Sequence, residues 1–223
     1  LINIRPTEPA LQNALAVAQK SSVENALNHF DNAQQFINYY LTKIIKYNSV
    51  IMTHCHSSTL EKALISIHKS RIKFSVINLE TRPLMQGHIT AKNLLKHGIS
   101  VTLSVDSAMD SLVKKCDFIL MGADAVTNKG VLNKIGSGAI AELAYNHKKP
   151  VYIITDSWKF SRNSISIEQR DRAEVWKKAP KKIKIANPSF ELIKPKFIHS
   201  IISELGILNY INFLRGAKNS LKN

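Results

Sequence analysis

The chain has 223 residues, 44% of them hydrophobic, which is enough to bury a core in one main domain with some helical addition. No apolar run reaches the roughly 18 residues of a membrane span, and no basic segment precedes a long apolar one, so we expect neither a membrane protein nor a secreted one. The net charge of +15 favours anionic ligands, but the basic residues are dispersed with few aromatic residues among them, so we expect no nucleic-acid partner.

Helical periodicity dominates the start of the chain. Apolar residues recur at helical spacing from Arg5 to about Lys46, which predicts two helices, with Ser21 and Ser22 available to cap the second. We therefore assign residues 1–46 to an N-terminal helical segment. Because the chain begins with Leu1 rather than Met, we expect this segment to be truncated.

Short apolar runs alternate with helix-like stretches from Tyr47 onward. We predict strands at residues 49–54, 74–79, 100–105, 118–121 and 151–155, and helices that begin near Ser58, Ile89, Ser107 and Gly138. Such alternation is typical of βαβ units, so we predict an α/β fold with a doubly wound, mostly parallel, Rossmann-like sheet over residues 47–223. In the tail we predict a strand at 183–186 and a helix at 196–205 that ends at Gly206.

Cys55 lies just after the first predicted strand, in the segment Thr53-His54-Cys55-His56-Ser57. A predicted helix follows directly, and because a helix N-terminus stabilises negative charge, we expect the Cys55 thiol to ionise readily and to act as a base or nucleophile. Inert packing is the alternative for a single cysteine. The neighbouring histidines are zinc ligands by type, but successive side chains of a strand point to opposite faces, so we expect no metal here.

Cysteine usage indicates the cellular compartment. The chain has only Cys55 and Cys116, so we expect no disulfide framework. A reducing cytoplasm is therefore the expected location.

A second polar segment follows the predicted strand 118–121. It places Asp124 just after the strand, then several glycines and Lys134 before the helix predicted near Gly138. Amides at a helix N-terminus suit a phosphate group, and Lys134 adds a positive charge. A loop that only ends a strand and caps a helix fits the same spacing, so both interpretations stay open. Because parallel strands build their sites at their carboxyl ends, Cys55 and Asp124 are expected at the same edge of the sheet.

Further charged residues lie next to predicted elements. Arg5 and Lys159 are candidates for phosphate contacts, because Arg offers paired donors and Lys a compact charge. Glu80 and Arg82 follow the strand 74–79, and we interpret them as partners of each other or of a neighbouring subunit. Each of these residues taken alone also fits ordinary surface charge.

Ordered motifs along nearly the whole chain resemble those of one known family. The motifs are Arg5-Pro6-Thr7, Asn13-Ala14-Leu15, the segment from Thr53 to Ser57, Glu80-Thr81-Arg82-Pro83 with Gln86-Gly87, Val105-Asp106-Ser107-Ala108, Gly122-Ala123-Asp124, Asn133-Lys134-Ile135-Gly136, and Asn187-Pro188 with Phe190. On these residues the chain is identified as a member of the family that joins ribose-1,5-bisphosphate isomerase, methylthioribose-1-phosphate isomerase and the regulatory subunits of translation initiation factor 2B.

The resemblance implies an isomerase, because the family's enzymes carry a Cys and an Asp that match Cys55 and Asp124, and its translation-factor subunits generally lack that pair. The residues after Cys55 and the pair Lys159-Phe160 are similar to those of the ribose-1,5-bisphosphate isomerases. The implied reaction converts α-ribose 1,5-bisphosphate to ribulose 1,5-bisphosphate in nucleotide salvage. The resemblance makes Cys55 the proton acceptor and Asp124 the proton donor, which requires burial to raise the pKa of Asp124. It implies no metal and no organic cofactor.

The resemblance also implies the residues that bind the phosphorylated sugar. The matching positions are Arg5, Ser57, Ser58, Thr59, Asn133, Lys134 and Lys159. Ser137 replaces a Thr of the family pattern and is expected to cap the helix that follows. The protein is expected to form a homo-oligomer, either a dimer or a hexamer.

One departure keeps two alternatives open. Family isomerases carry a helical region with an Arg-Gly-Ala motif before the Arg-Pro-Thr segment, and this sequence begins four residues before Arg5. A non-catalytic regulatory protein that senses a sugar phosphate is therefore one alternative. Methylthioribose-1-phosphate isomerase is the other.

Overall fold

The structure is a computed structural model that describes residues 8–163 and 165–221. Its helices are α1 (Pro9–Lys20), α2 (Val23–Ile44), α3 (Ser58–Lys69), α4 (Gln86–Lys96), α5 (Met109–Val113), α6 (Ser137–Asn146), α7 (Arg172–Val175) and α8 (Tyr210–Ser220). Its strands are β1 (Ser49–Thr53), β2 (Phe74–Leu79), β3 (Ser100–Ser104), β4 (Phe118–Met121), β5 (Ala125–Thr127), β6 (Gly130–Lys134), β7 (Val151–Ile154), β8 (Phe190–Ile193), β9 (Ser200–Ser203) and β10 (Gly206–Leu208).

Seven strands form the main sheet, in the order β10-β9-β7-β4-β1-β2-β3. Its neighbours pair in parallel except for β10, which runs antiparallel to β9. The chain proceeds from β1 to β2 and β3 on one side, and then returns to place β4 on the other side of β1. The predicted doubly wound, mostly parallel sheet is therefore confirmed, and the five predicted strands are observed to within one residue at each end.

Helices cover both faces of this sheet, and β1 shows how. Ile51 packs in one buried cluster with Ile37 of α2 and Leu64 of α3, whereas Met52 packs in another with Ile140 of α6. Adjacent residues of a strand point to opposite faces, so a strand covered on both sides is apolar throughout rather than alternating. This is why the sequence shows short continuous apolar runs.

Both predicted N-terminal helices are observed, as α1 and α2. The Ser22 hydroxyl accepts a hydrogen bond from the Asn25 amide at 3.1 Å, so Ser22 is the predicted cap of α2. Gln34 of α2 donates to the carbonyl of Thr59 at 3.1 Å, which fixes α2 against the start of α3. Among the described residues, no helix has both the length and the apolar character that a membrane crossing requires.

The segment after Asp124 differs from the predicted loop. It forms a hairpin of β5 and β6, which β8 extends to a second, antiparallel sheet of three strands. The turn depends on Gly130, whose φ of 149° suits glycine and whose Cβ, if present, would meet the carbonyl oxygen of Ile193 at 2.3 Å. Lys134 therefore projects from a strand and not from a loop.

Both elements predicted in the tail are wrong. Residues 183–186 form no strand, and the carbonyl of Ile183 accepts instead from the Arg172 guanidinium at 3.5 Å. The predicted helix 196–205 is replaced by β9, whose Ile201 and Ile202 pack into the clusters on opposite faces of the main sheet. Gly206, at φ 119°, begins the returning strand β10 and does not end a helix. Helix α8, which the sequence analysis did not predict, follows it.

Candidate active site

Cys55 and Asp124 lie at the carboxyl ends of two adjacent strands. β1 pairs directly with β4, and both residues follow these strands closely. A cavity of ≈ 830 Å³ opens at this edge and is lined by both side chains. The predicted site residues that line it with them are Ser57, Ser58, Thr59, Asn133, Lys134 and Lys159. Arg5, the remaining predicted contact, lies outside the described residues.

The backbone of Cys55 adopts a conformation that is unusual for a residue other than glycine. Its φ is 67°, in the left-handed region, and its amide donates to the hydroxyl of Thr81 at 2.9 Å. Its sulfur lies 3.6 Å from Oε1 of Gln86, the first residue of α4. Left-handed residues outside glycine persist where surrounding contacts enforce them, and such sites are often functional. Here the turn aims the thiol into the cavity.

The expectation that the Cys55 thiol ionises readily is wrong for the free protein. Burial raises the pKa of Cys55 to about 11, and the negative charges of Asp124 and Asp106 act in the same direction. A hydrogen bond from the His56 amide and the charge of Lys134 lower this pKa, but by less than burial raises it. Desolvation of the thiolate therefore outweighs the favourable field at the start of α3.

The raised pKa predicts how Cys55 reacts with an alkylating reagent. We expect the rate of its reaction with iodoacetamide to rise about tenfold per pH unit from about pH 8 to about pH 10, because the thiolate fraction grows in that proportion below the pKa. Mass spectrometry of the peptide that contains Cys55 measures this rate. An ordinary thiol is half ionised near pH 8.5, so a rate that levels off before about pH 10 would contradict the raised pKa.

The start of α3 forms one wall of the cavity. The Ser57 hydroxyl accepts from the Leu60 amide at 3.3 Å and so caps the helix, and the first-turn residues Ser58 and Thr59 line the cavity. First-turn amides have no partners within a helix, so they can bind an anion. Gly122 lies close by, since a Cβ there would be 2.9 Å from the Ser57 side chain. Its lack of a side chain lets β4 approach this wall.

Two lysines bring positive charge to the cavity. Lys134 is only 5% exposed, and no hydrogen bond or ion pair joins its ammonium to another described residue. Lys159 donates from Nζ to the carbonyl of Ala123 at 2.6 Å, beside Asp124. Burying an ammonium is costly unless an anion compensates it. The pair therefore suits a substrate that carries phosphate.

The predicted phosphate site at the start of α6 is occupied by the protein itself. The Gly138 amide donates to the Glu191 carboxylate at 2.7 Å, so an internal anion already caps this helix. Ser137 is not the cap either, because the N-cap is Gly136 and the Ser137 hydroxyl accepts from Asn133 at 2.8 Å. The Gly138 amide is therefore not available to a phosphate, and the segment before it is the β5–β6 hairpin rather than a loop that only ends a strand. Asn133 and Lys134 of this segment line the cavity.

The two histidines beside Cys55 have separate structural partners. His54 is buried and its Nε2 lies 2.8 Å from the carbonyl of Ile135, and burial lowers the pKa of His54, which favours a neutral ring. His56 lies 3.0 Å from the Thr90 hydroxyl. Within the described ranges, no group of three or more His, Cys, Asp or Glu side chains is placed to hold a metal ion.

The cavity includes residues that the sequence analysis did not assign to it. They are Glu8, Leu84, Gln86, Ser166, Glu168, Arg170, Ser189 and Phe190, together with His56 and the backbone around Gly122 and Ala123. Gln86 belongs to the motif Gln86-Gly87, and its position after β2 is a local signal for this edge of the sheet. Arg170 comes from an irregular segment, where no local pattern indicates proximity to Cys55. Its guanidinium forms an ion pair with Glu174 at 2.8 Å.

The sequence was compared with known proteins. The model of the initiation factor 2 subunit family matches residues 2–210. Ribose 1,5-bisphosphate isomerase of Archaeoglobus fulgidus is 34% identical, over 93% of this chain and 74% of that protein. The enzyme of the same name from Thermococcus kodakarensis is 37% identical over the same shares. Methylthioribose-1-phosphate isomerase of Thermosipho melanesiensis is 30% identical, over 93% of this chain and 71% of that protein.

Solved structures share the fold. The translation initiation factor eIF-2B of Pyrococcus horikoshii OT3 superposes with a TM-score of 0.84 at 24% identity, covering 93% of this chain and 78% of that one. The tetrameric eIF2B-beta2-delta2 complex from C. thermophilum contains a chain that superposes with a TM-score of 0.73 at 20% identity, covering 88% of this chain and 70% of that one. At these identities the likeness establishes the fold alone.

Proposed function

The chain belongs to the initiation factor 2 subunit family, and on that premise we propose that it is an isomerase that converts α-ribose 1,5-bisphosphate to ribulose 1,5-bisphosphate. The observation that carries the proposal is the placement of Cys55 and Asp124 on one cavity, with Lys134 and Lys159 beside them. An acid, a base and phosphate-binding groups in one cavity are what an aldose-ketose isomerisation requires.

The cavity offers two separate sets of phosphate contacts. One is the start of α3, with the amides and hydroxyls of Ser58 and Thr59, and the other comprises the ammonium groups of Lys134 and Lys159. Both sets suit anionic oxygen. A substrate with a phosphate at each end carries an anionic group for each set. This supports a bisphosphate substrate.

The proposed reaction transfers protons through both catalytic side chains. Asp124 gives a proton to the ring oxygen as the bond from that oxygen to C1 breaks, and the Cys55 thiolate takes the proton from C2. The electron pair of the C2–H bond forms a C1=C2 double bond, which yields an enol phosphate. The C2 hydroxyl then returns a proton to Asp124, and the Cys55 thiol returns its proton to C1. A ketone remains at C2, both side chains recover their protonation, and the chemistry requires no cofactor.

The raised pKa of Cys55 sets a condition on this mechanism. The active form has a thiolate at Cys55 and a proton on Asp124, whereas burial in the free protein favours the thiol. The charge of Lys134 lowers the Cys55 pKa, but by less than burial raises it. The Cys55 thiol therefore has to lose its proton in the substrate complex before it can act as the base. A free thiol with this role also favours the reducing cytoplasm as the site of the reaction.

The test is a direct assay with each candidate substrate. Purified protein is incubated with α-ribose 1,5-bisphosphate or with methylthioribose 1-phosphate, and the ketose is followed by NMR. We expect ribulose 1,5-bisphosphate to form and the methylthio sugar to be a much poorer substrate, because it has one phosphate. Preferential turnover of the methylthio sugar would assign the other isomerase activity. Binding without turnover of either would indicate a regulatory sensor and would refute the enzymatic proposal.

We propose further that the protein is a homo-oligomer built on the free edge of the main sheet. β3 is the last strand on that side, and Leu103 and Val105 are exposed there, together with Leu84 just before α4 and Ile89 in its first turn. Proteins commonly bury an apolar surface beside an unpaired strand edge in an interface, and here we expect a second copy of the chain to cover it. Dimers formed in this way are also the units from which a larger ring such as a hexamer is assembled.

Sedimentation analysis tests the assembly. We expect the wild-type protein to sediment as a dimer or larger, and Leu103→Glu to shift it to monomer, because a buried unpaired carboxylate opposes association. Val23→Glu is the control, since Val23 is 65% exposed on α2, away from the β3 edge. A monomeric wild type, or a variant at Leu103 that sediments like the wild type, would contradict this interface.

A further inference from the structure

We infer that Asn13 is a positioning residue that holds Lys159 in the active-site cavity, an inference that rests on the proposed function of that cavity. Asn13 lies on α1, and its side chain is not among those that line the cavity. It acts on the backbone that carries Lys159. The N-terminal helices then contribute to substrate binding without touching the substrate.

The Asn13 amide binds the chain on both sides of Lys159. Its Nδ2 donates to the carbonyl of Trp158 at 2.6 Å and to the carbonyl of Phe160 at 3.3 Å. These are the residues immediately before and after Lys159, which ends a 3-10 helix, Ser157–Lys159. One primary amide therefore holds both the peptide group that precedes Lys159 and the peptide group that follows Phe160.

The Lys159 side chain extends from this segment to the end of β4, where Asp124 lies. Its Nζ donates to the carbonyl of Ala123 at 2.6 Å, which places the ammonium one residue from Asp124. The side chain is half-buried and lines the cavity. A shift of the peptide groups on either side of Lys159 would move this ammonium relative to both Asp124 and a bound phosphate.

Other contacts hold the segment in place without replacing the Asn13 amide. His29 of α2 stacks on Trp158 with ring centroids 3.8 Å apart, and Phe30 meets the same indole edge-on at 5.4 Å. The Ser161 amide donates to Val126 at 2.8 Å. These contacts fix the Trp158 side chain and the end of the segment. Loss of the Asn13 amide is therefore expected to change the orientation of the peptide groups around Lys159. The segment from Trp158 to Ser161 as a whole is expected to stay in place.

The physical consequence of removing the donor follows from burial. Trp158 and Phe160 are 6% and 3% exposed, so their carbonyls have little access to water. A buried carbonyl that loses its donor is costly, and the backbone turns to find another partner. Because Lys159 lies between the two affected carbonyls, its ammonium is displaced.

A double-mutant cycle tests whether Asn13 acts through Lys159. Asn13→Leu keeps the side-chain shape and removes the donor, and Lys159→Met removes the ammonium. We expect Asn13→Leu to lower kcat/KM for ribose 1,5-bisphosphate by about tenfold or more, mainly by raising KM. In the Lys159→Met background we expect the same substitution to have little further effect. Equal losses in both backgrounds, or no loss in the wild type, would overturn the inference.

Two controls make the result specific. Asn28→Leu makes the same chemical change at an exposed position of α2 and is expected to leave kcat/KM unchanged. If Asn13→Leu does not fold, as judged by circular dichroism, Asn13→Ser keeps one donor and replaces it in the cycle. Its expected loss is smaller but again absent in the Lys159→Met background.

Chemical labelling gives a readout that does not depend on the substrate. With an amine-acylating reagent and mass spectrometry, we expect Lys159 to react severalfold faster in Asn13→Leu than in the wild type, measured against the exposed Lys92. A displaced ammonium loses its bond to Ala123 and becomes accessible. Unchanged reactivity would overturn the positioning role. A wild type that turns over no ribose 1,5-bisphosphate would instead refute the proposed function and leave the labelling result to decide the role of Asn13.

Discussion

Cys55→Ser and Asp124→Asn are each expected to reduce turnover of ribose 1,5-bisphosphate by about 10³-fold, the range in which a single proton-transfer group contributes. A serine hydroxyl is far too weak an acid to be ionised in this cavity, and an asparagine cannot donate a proton to the ring oxygen. The amide of residue 55 can keep its bond to Thr81 in the serine variant, so the fold is expected to be unchanged. Steady-state kinetics and circular dichroism measure the two effects.

Matched variants separate proton transfer from general damage. Cys116→Ala changes the second cysteine, which is buried and does not line the cavity, and Asp110→Asn changes a surface carboxylate that pairs with Lys114 at 2.6 Å. Both are expected to turn over substrate at close to the wild-type rate. If Cys55→Ser or Asp124→Asn did so as well, the proton-transfer roles assigned to these residues would be wrong.

Gly87→Ala is expected to destabilise the protein by at least about 3 kcal/mol, among the larger effects of a single substitution. A Cβ at Gly87 would lie 1.7 Å from the carbonyl oxygen of Leu79, so the start of α4 could not remain against the end of β2. The Gly87 backbone is also bound on both sides, by the Glu80 carbonyl at 3.1 Å and by the Asn78 side chain at 2.6 Å. Urea denaturation measures the change in the free energy of unfolding.

The same substitution in another helix provides the control. Gly216 lies in α8, and a Cβ there would meet only the tip of the Leu205 side chain at 3.0 Å, which can move. Because alanine favours a helix over glycine by about 1 kcal/mol, Gly216→Ala is expected to be neutral or slightly stabilising. A Gly87→Ala variant as stable as Gly216→Ala would show that α4 can move away from β2 at little cost. Since Gln86 begins α4 beside the Cys55 sulfur, the destabilised variant is also expected to lose activity.

Local sequence features determined the elements of the catalytic edge. The continuous apolar runs of β1 and β4 are characteristic of strands buried on both faces, and they place Cys55 and Asp124 at strand ends whatever the sheet order. The motifs that surround these residues also indicated the family, which the comparison with known proteins confirmed. Short-range patterns suffice here because strand formation and helix capping depend mainly on neighbouring residues.

Local features failed where a segment's partner lies far away in the chain. The apolar run around Ile201 and Ile202 fits either a helix or a strand. It forms a strand because it pairs with β7. Likewise, the sequence at the start of α6 suits a phosphate. In the folded chain the Glu191 carboxylate of β8 accepts from the Gly138 amide there. The sequence alone could not predict either contact, because both depend on pairing between distant segments.

The sequence by itself determined which chemical groups this protein carries and at which strand ends they lie. Only the tertiary structure decided that β4 pairs with β1, which brings a thiol and a carboxylate to one cavity. It also decided that Cys55 is protonated in the free protein, because its pKa depends on desolvation by residues from several elements. The physical reason is the range of the interactions: propensity and capping act over a few residues, whereas burial and pairing are properties of the folded chain as a whole.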